Sequence, residues 1–341
     1  MGIIYITVFV LITLVASFSL SQVYAFPTIY DDDYIVEKFA TGLDWPTAMT
    51  FVGEDILVLE KNTGKVIRIQ DNGVKYSEPV LDVPVIFNGG KGLLGTAFAS
   101  NHIYLYFTES PSGFDEYNHE NIKNNVYQYD WNGESLINPI LVKELVAFGT
   151  ECILSQCEVE QGGVIATGLN NEIYFTTSDQ DQRTAFQNVN VDGWSIPDYE
   201  LGSIFKVDTE SNNSVEVFGI GIRNSFGLAV DPVTGYLWNT ENGPDCWDEI
   251  NLVSPGYNSG WRVVMGQSGV ENSYCKEVSE WADLSTLNPN FEYSDPEFAW
   301  YYTVGPTAIE FPGKGGFRNY SDSLFVGDFN NGRIYNFQLN S

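Results

Sequence analysis

The feature that most restricts this chain is a module that recurs five times. Each copy is an apolar strand, a turn, a second strand, a turn and a third strand. The copies lie at residues 47–51, 55–60 and 65–69; 94–98, 102–108 and 125–129; 163–166, 172–177 and 203–207; 227–230, 236–239 and 249–253; and 307–311, 323–327 and 333–337. Third strands resemble one another: Val66-Ile67-Arg68-Ile69, Val126-Tyr127-Gln128-Tyr129, Ile204-Phe205-Lys206-Val207 and Ile334-Tyr335-Asn336-Phe337. Each alternates apolar and polar side chains, as a half-buried antiparallel strand does. An outer fourth strand follows most copies, as at 80–83 and 139–145, and helical periodicity is nearly absent after residue 25. Four-stranded sheets repeated at this spacing predict the blades of an all-β propeller. A sandwich or β-helix is the alternative, and the uneven loops between copies argue against a β-helix.

With 341 residues, 43% of them hydrophobic, the chain is long enough for one well-filled domain over 26–341. Ahead of it, residues 2–20 are apolar and uncharged, and Val23-Tyr24-Ala25 supplies small residues at signal-peptidase spacing. Residues 1–25 therefore read as a signal peptide or, if uncleaved, an N-terminal anchor; either places the domain outside the cytoplasm. A formal net charge of -29 disfavours nucleic acid and anionic lipid as partners and favours cations; it also serves solubility. The even set Cys152, Cys157, Cys246 and Cys275 fits two disulfides in an exported chain. Three pairings are possible, Cys152–Cys157 with Cys246–Cys275 being the local one. Zinc is a poorer reading, since no Cys-x-x-Cys and no neighbouring His is present. Asn212-Asn213-Ser214 and Asn319-Tyr320-Ser321 match the glycosylation pattern.

The densest polar segment is 223–261. It runs Arg223-Asn224-Ser225-Phe226-Gly227-Leu228-Ala229-Val230-Asp231-Pro232, then Glu241-Asn242-Gly243-Pro244, then Asp248-Glu249-Ile250-Asn251, and closes at Asn258-Ser259-Gly260-Trp261. Residues 227–230 and 236–238 read as a hairpin around a tight Asp-Pro-Val-Thr-Gly turn. That pairing sends Arg223, Asn224, Gly243, Pro244 and Asp248 to one rim. These ordered motifs resemble the glucose/sorbosone dehydrogenase family, soluble sugar dehydrogenases that use pyrroloquinoline quinone (PQQ) and calcium. The resemblance extends over residues 36–339.

The resemblance implies a six-bladed propeller. Only five repeats are readable, so the last blade is incomplete or 261–302 is more structured than its sequence suggests; residues 34–40 offer one closing strand. It further implies that Arg223 and Asn224 hold the quinone, an acidic tricarboxylate suited to a guanidinium fork. The carbonyls of Gly243 and Pro244 would ligate calcium acting as a Lewis acid. Asp248 would orient the arginine or bind metal water, and Glu249 with the Ser259 carbonyl matches a second, structural calcium position. Asp248 and Glu249 are adjacent on a strand, so they face opposite sides and serve separate roles.

The family's base is a histidine that takes a hydroxyl proton while hydride leaves C1 of an aldose. Here that segment reads Glu160-Gln161-Gly162-Gly163. Glu160 takes the base's place, or marks a relative that has lost catalysis; Gln161 is a donor for a quinone or sugar oxygen. A second family histidine is Asn242 here, and the only histidines, His102 and His119, sit in no matching motif. In the fifth copy a basic residue of the family is Asn330, beside Asp328, and an acid there disfavours a tricarboxylate; Lys314 and Arg333 are the nearest bases. Gly89-Gly90-Lys91-Gly92-Leu93-Leu94-Gly95 resembles a family glycine stretch, and its glycines permit close blade packing. Trp131, Trp194, Trp238, Trp261 and Trp300 read as blade core, a rim tryptophan being free to stack on a sugar. The expected function is an exported PQQ- and calcium-dependent aldose dehydrogenase with an unknown electron acceptor. The alternatives are a non-catalytic propeller binding a glycan, ligand or calcium, and a metal-dependent lactonase-like hydrolase.

Overall fold

The structure, a computed structural model, describes residues 27–117, 122–147, 160–180, 200–273, 275, 278, 280–313, 317 and 320–339. The chain divides into two units, Met1–Phe39 and Ala40–Ser341. The described part of the first has a turn closed by Tyr34 N–H on the Asp31 carbonyl and no helix or strand. The closing strand expected at 34–40 is therefore not formed.

The second unit is all-β and propeller-like. Its first sheet is β1 (Pro46–Val52), β2 (Asp55–Glu60), β3 (Lys65–Ile69) and β4 (Leu81–Asp82). The second is β5 (Leu93–Ala99), β6 (His102–Glu109), β7 (Lys123–Trp131) and β8 (Leu136–Val146). The third has β9 (Gly162–Thr167), β10 (Ile173–Thr177), β11 (Ser203–Asp208) and β12 (Ser214–Ile220). In the fourth are β13 (Gly227–Val230), β14 (Leu237–Glu241) and β15 (Asp248–Val253). Two short strands, β16 (Tyr257–Asn258) and β17 (Glu292–Tyr293), turn back and extend the third sheet beyond β12 by parallel pairing. The fourth sheet is completed by β18 (Phe298–Trp300), and the fifth is β19 (Pro306–Glu310), β20 (Ser323–Asp328) and β21 (Arg333–Gln338). One 3-10 turn, Leu284–Thr286, is the only helical element among the described residues.

Within each sheet consecutive strands pair antiparallel, and the first strands lie side by side in the order β1, β5, β9, β13, β19. Successive sheets pack face to face, so each interface is its own apolar core. Leu57 and Leu59 meet Leu105 and Phe107 between the first two sheets. Tyr104 and Tyr106, on the opposite face of β6, meet Ile165 and Phe175 between the second and third. Tyr174 and Ile204 meet Leu228 and Leu237, and Trp238 and Ile250 meet Ile309 and Val326. The period-two alternation therefore sends side chains to two dry interfaces, not to core and water. This corrects the half-buried expectation for the inner sheets. Exposed apolar side chains sit on the outer faces of the terminal sheets, Met49 and Phe51 of β1 and Ile334 of β21, although Val58, Ile67 and Ile69 beside the first two are covered by Ala40 and Leu43. A sixth sheet is not among the described residues, and 261–302 does carry strands, as one of the two readings anticipated.

Glycine sets the spacing between inner strands. A Cβ on Gly95 would sit 1.9 Å from the Gly163 carbonyl oxygen. Of the expected disulfides, Cys246–Cys275 is formed, which removes those cysteines as zinc ligands; Cys152 and Cys157 lie outside the described residues.

Candidate functional site

Register decides where the polar residues go. In every sheet the start of the first strand faces the end of the second: Pro46 with Glu60, Leu93 with Phe107, Gly162 with Thr177, Gly227 with Thr240, Pro306 with Asp328. The segments just outside those ends therefore share one rim. Hydrogen bonds join them in series from the second sheet to the fifth. Gly90 bridges Glu160, and the Ser178 hydroxyl donates to the Glu160 carbonyl. Asp179 N–H donates to the Arg223 carbonyl at 2.8 Å, and Asn242 N–H to the Asn224 carbonyl at 2.8 Å. Asn242 Nδ2 reaches the Pro306 carbonyl at 2.9 Å, and Phe329 N–H the Gly305 carbonyl at 2.9 Å.

Arg223 is fixed at several points. Its N–H donates to Glu241 Oε1 at 2.6 Å, Nη1 donates to the Asn242 carbonyl at 2.9 Å, and the guanidinium lies over the Trp261 ring, 5.6 Å from its centroid. Trp261 Nε1 is in turn held by Asp179 Oδ2 at 2.7 Å. Trp261 thus joins the rim as a cation–π partner. The Nε and Nη2 edge of Arg223 has no partner among the described residues, which leaves a fork open to an acidic ligand. Beside it Asn224 is 3% exposed, and its Oδ1 accepts no hydrogen bond. An unsatisfied buried amide costs about 1–3 kcal/mol unless something completes it.

Gly243 and Pro244 follow β14. A Cβ at Gly243 would fall 1.8 Å from the Cys246 carbonyl oxygen, so this tight turn requires glycine. Neither the Gly243 nor the Pro244 carbonyl accepts a bond from a described residue. Asp248, fully buried, holds the turn from below. Its Oδ1 accepts from Gly243 N–H at 2.9 Å, and its Oδ2 accepts from Val304 and Gly305 N–H at 2.6 and 2.8 Å. Burial raises its pKa, although those three N–H donors and Arg223 pull the other way.

Glu249 points to the other face, as strand geometry requires. Its Oε1 accepts from Gly266 N–H at 2.5 Å, and its Oε2 from Asn251 Nδ2 at 3.1 Å. Directly across the strand pair stands Glu241. The Ser259 hydroxyl donates to Glu241 Oε2 at 2.7 Å and lies 3.5 Å from Glu249 Oε2. Burial, and for Glu249 the neighbouring Glu241 charge, push both carboxyls above the ordinary range. Two buried acids sharing one serine are a natural seat for a hard cation. Sequence reasoning gave Glu241 no role. The signal was a Glu ahead of Asn-Gly-Pro, but its meaning depends on the cross-strand partner.

At the third sheet, Gln161 is buried with its Oε1 taken by Asn124 Nδ2 at 2.7 Å and its carbonyl by the Tyr106 hydroxyl at 3.0 Å. Its amide oxygen is thus committed to the interior. Glu160 shares the rim through its backbone. His102 begins β6, at the far end from the rim, where Nδ1 lies 2.9 Å from Asp130; His119 lies outside the described residues. In the fifth sheet the acid expected to disfavour a tricarboxylate is already engaged. Asp328 accepts from Asn331 N–H, Asn331 Nδ2 and the Tyr335 hydroxyl, each at 2.8 Å, so both oxygens are absorbed by its own hairpin. Arg333 is exposed, and Lys314 lies outside the described residues.

The family model for Glucose / Sorbosone dehydrogenase matches residues 43–341. The chain belongs to this family. It is 26% identical over 375 residues to the quinoprotein glucose dehydrogenase B of Acinetobacter calcoaceticus, covering 88% of this chain and 76% of that protein. The fold is shared with the PQQ-bound aldose sugar dehydrogenase of Streptomyces coelicolor, with a TM-score of 0.64, 24% identity, and coverage of 90% of this chain and 81% of that one. An oxidoreductase (glucose dehydrogenase) of Thermus thermophilus superposes with a TM-score of 0.68 at 23% identity over 89% of this chain and 82% of that one. The similar proteins of Acinetobacter calcoaceticus and Streptomyces coelicolor are sugar dehydrogenases by name, and the latter is solved with PQQ.

Proposed function

We propose that this chain is an exported oxidoreductase of the aldose dehydrogenase type that works with PQQ and calcium. One observation carries the reading: the open edge of Arg223, the orphaned Asn224 Oδ1 and the unclaimed Gly243 and Pro244 carbonyls stand on one rim. These groups fit an acidic quinone and a hard cation. Arg223 and Asn224 would hold PQQ, with Gln161 near it. Gly243 and Pro244 would take the catalytic calcium, with Asp248 fixing their turn, and Glu249, Glu241 and Ser259 a structural one.

When bound, PQQ would accept the two electrons that leave C1 of the sugar as hydride. The protein's part is orientation and proton handling. Trp261 keeps the Arg223 plane in place, and Asp248 fixes the calcium-binding turn. Glu160, at the place of the family's base, would take the C1 hydroxyl proton, giving a lactone. Export by residues 1–25, and an external electron acceptor, belong to the same proposal.

The absence of histidine from the described rim favours a second reading, a propeller that binds the same ligands without turnover. Titrating the mature chain with PQQ and calcium separates them. Saturable quinone absorbance bleached by an aldose supports the enzyme, and saturable binding without bleaching supports the binder. Arg223→Ala should abolish binding; unchanged affinity would refute the site.

A further inference from the structure

Lys91 has no role in the reading above, yet its position is unusual. It lies two residues before β5, the place that Glu160 holds before β9, and its neighbour Gly90 bridges Glu160. The loop is pinned on all sides. Lys91 N–H donates to the Asn88 carbonyl at 3.1 Å, Lys61 Nζ to the Gly89 carbonyl at 2.8 Å, and Thr108 N–H to the Gly92 carbonyl at 2.9 Å. Gly92 has φ of +136°, and a Cβ there would meet the Lys61 carbonyl oxygen at 2.5 Å.

Lys91 is 1% exposed, and no described carboxylate or carbonyl takes a bond from its amine. A buried cation without a counter-charge is costly. The chain has 45 acidic residues against 16 basic ones, so a partner was easy to supply. None is supplied. In the same loop Asn88 is also buried, and its Oδ1 accepts nothing. An amine with no described partner beside an orphaned amide oxygen, on a loop held by backbone hydrogen bonds, marks a ligand contact. Burial alone lowers the Lys91 pKa, and an anion beside it would restore the charge.

We infer that Lys91 is a second cationic anchor of the site, pairing with a carboxylate of the acidic ligand that Arg223 grips from the fourth sheet. It supplies the positive charge that Asn330 does not provide in the fifth. This rests on the PQQ reading, and the test separates the two.

Full-length mature chain is titrated with PQQ plus calcium, following the quinone absorbance, and melted without ligand. Lys91→Met should weaken binding roughly 10- to 100-fold, as loss of a charge-assisted bond does. It should also raise the melting temperature of the ligand-free protein by about 2 °C or more, because an unpaired charge leaves the interior. Lys91→Arg should bind within several-fold of wild type. The trimethyl ester of PQQ should not discriminate between wild type and Lys91→Met. If Lys91→Met binds like wild type while Arg223→Ala does not bind, Lys91 is no anchor and the PQQ reading stands. A lowered melting temperature in Lys91→Met would make the lysine structural and overturn the inference. Failure of wild type to bind would overturn both.

Discussion

The fourth and fifth sheets present the same hairpin to the same rim and do opposite things with it. At the end of β20, Asp328 and Asn331 satisfy one another and Tyr335. At the end of β14, Asp248 ties the 243–248 turn to Val304 and Gly305, while the Gly243 and Pro244 carbonyls and the Arg223 edge have no partner among the described residues. Polar residue type is similar in the two. The difference is whether the hairpin consumes its own hydrogen-bonding groups or leaves them for a ligand.

The contrast breaks most sharply at the two aspartates. Asp248→Ala strands three N–H groups, two of them on another loop, and should cost roughly 3 kcal/mol or more. Asp328→Ala disturbs one hairpin and should cost about 1 kcal/mol. Chemical denaturation of both variants checks this; equal losses would show that Asp248 does not organise the rim.

A smaller effect is expected from the acid pair behind the turn. Glu241 and Glu249 hold their protons in the folded state at pH values where the unfolded chain, near 4.5, has lost them. The folded state then binds more protons, so stability falls as pH rises above that value and is fully kept below it. Calcium seated between the two carboxylates should flatten the fall, and Glu249→Gln should flatten it without calcium. Melting curves from pH 4 to 8 with calcium or chelator measure both; a pH profile indifferent to calcium would exclude the pair as a cation seat.

The least change is expected from Asn330→Lys. It adds a base to a hairpin already satisfied, and it should tighten PQQ binding by no more than several-fold. A gain as large as the Arg223→Ala loss would mean that the fifth sheet faces the ligand directly.

Much of this was legible in the sequence. Strand periods located every first, second and third strand, and the Asp231–Gly235 turn correctly brought Arg223, Gly243 and Asp248 together. What escaped depends on long or very short pairings. The outer strand Phe298–Trp300 comes after a long excursion from β15, and β16 and β17 each join the third sheet by two residues, too few to leave a period. Burial of both faces of the inner sheets was hidden because third strands such as 126–129 read as alternating apolar and polar, although Gln128 too is buried. Tyr127 packs with the first core. Glu241 was passed over because only the strand register reveals Glu249 opposite it. Asp328 read as an acid set against the ligand because sequence position shows proximity to a site, not which neighbour a carboxylate accepts from.

The account stands on the fourth-sheet rim holding an acidic quinone and a cation together. A crystal structure of the mature chain grown with PQQ and calcium tests this most directly. The predicted result is a quinone carboxylate on the Nε–Nη2 edge of Arg223 and a calcium ion on the Gly243 and Pro244 carbonyls. A quinone bound elsewhere, or a filled rim in which Arg223 still faces only Asn242 and Trp261, would contradict it.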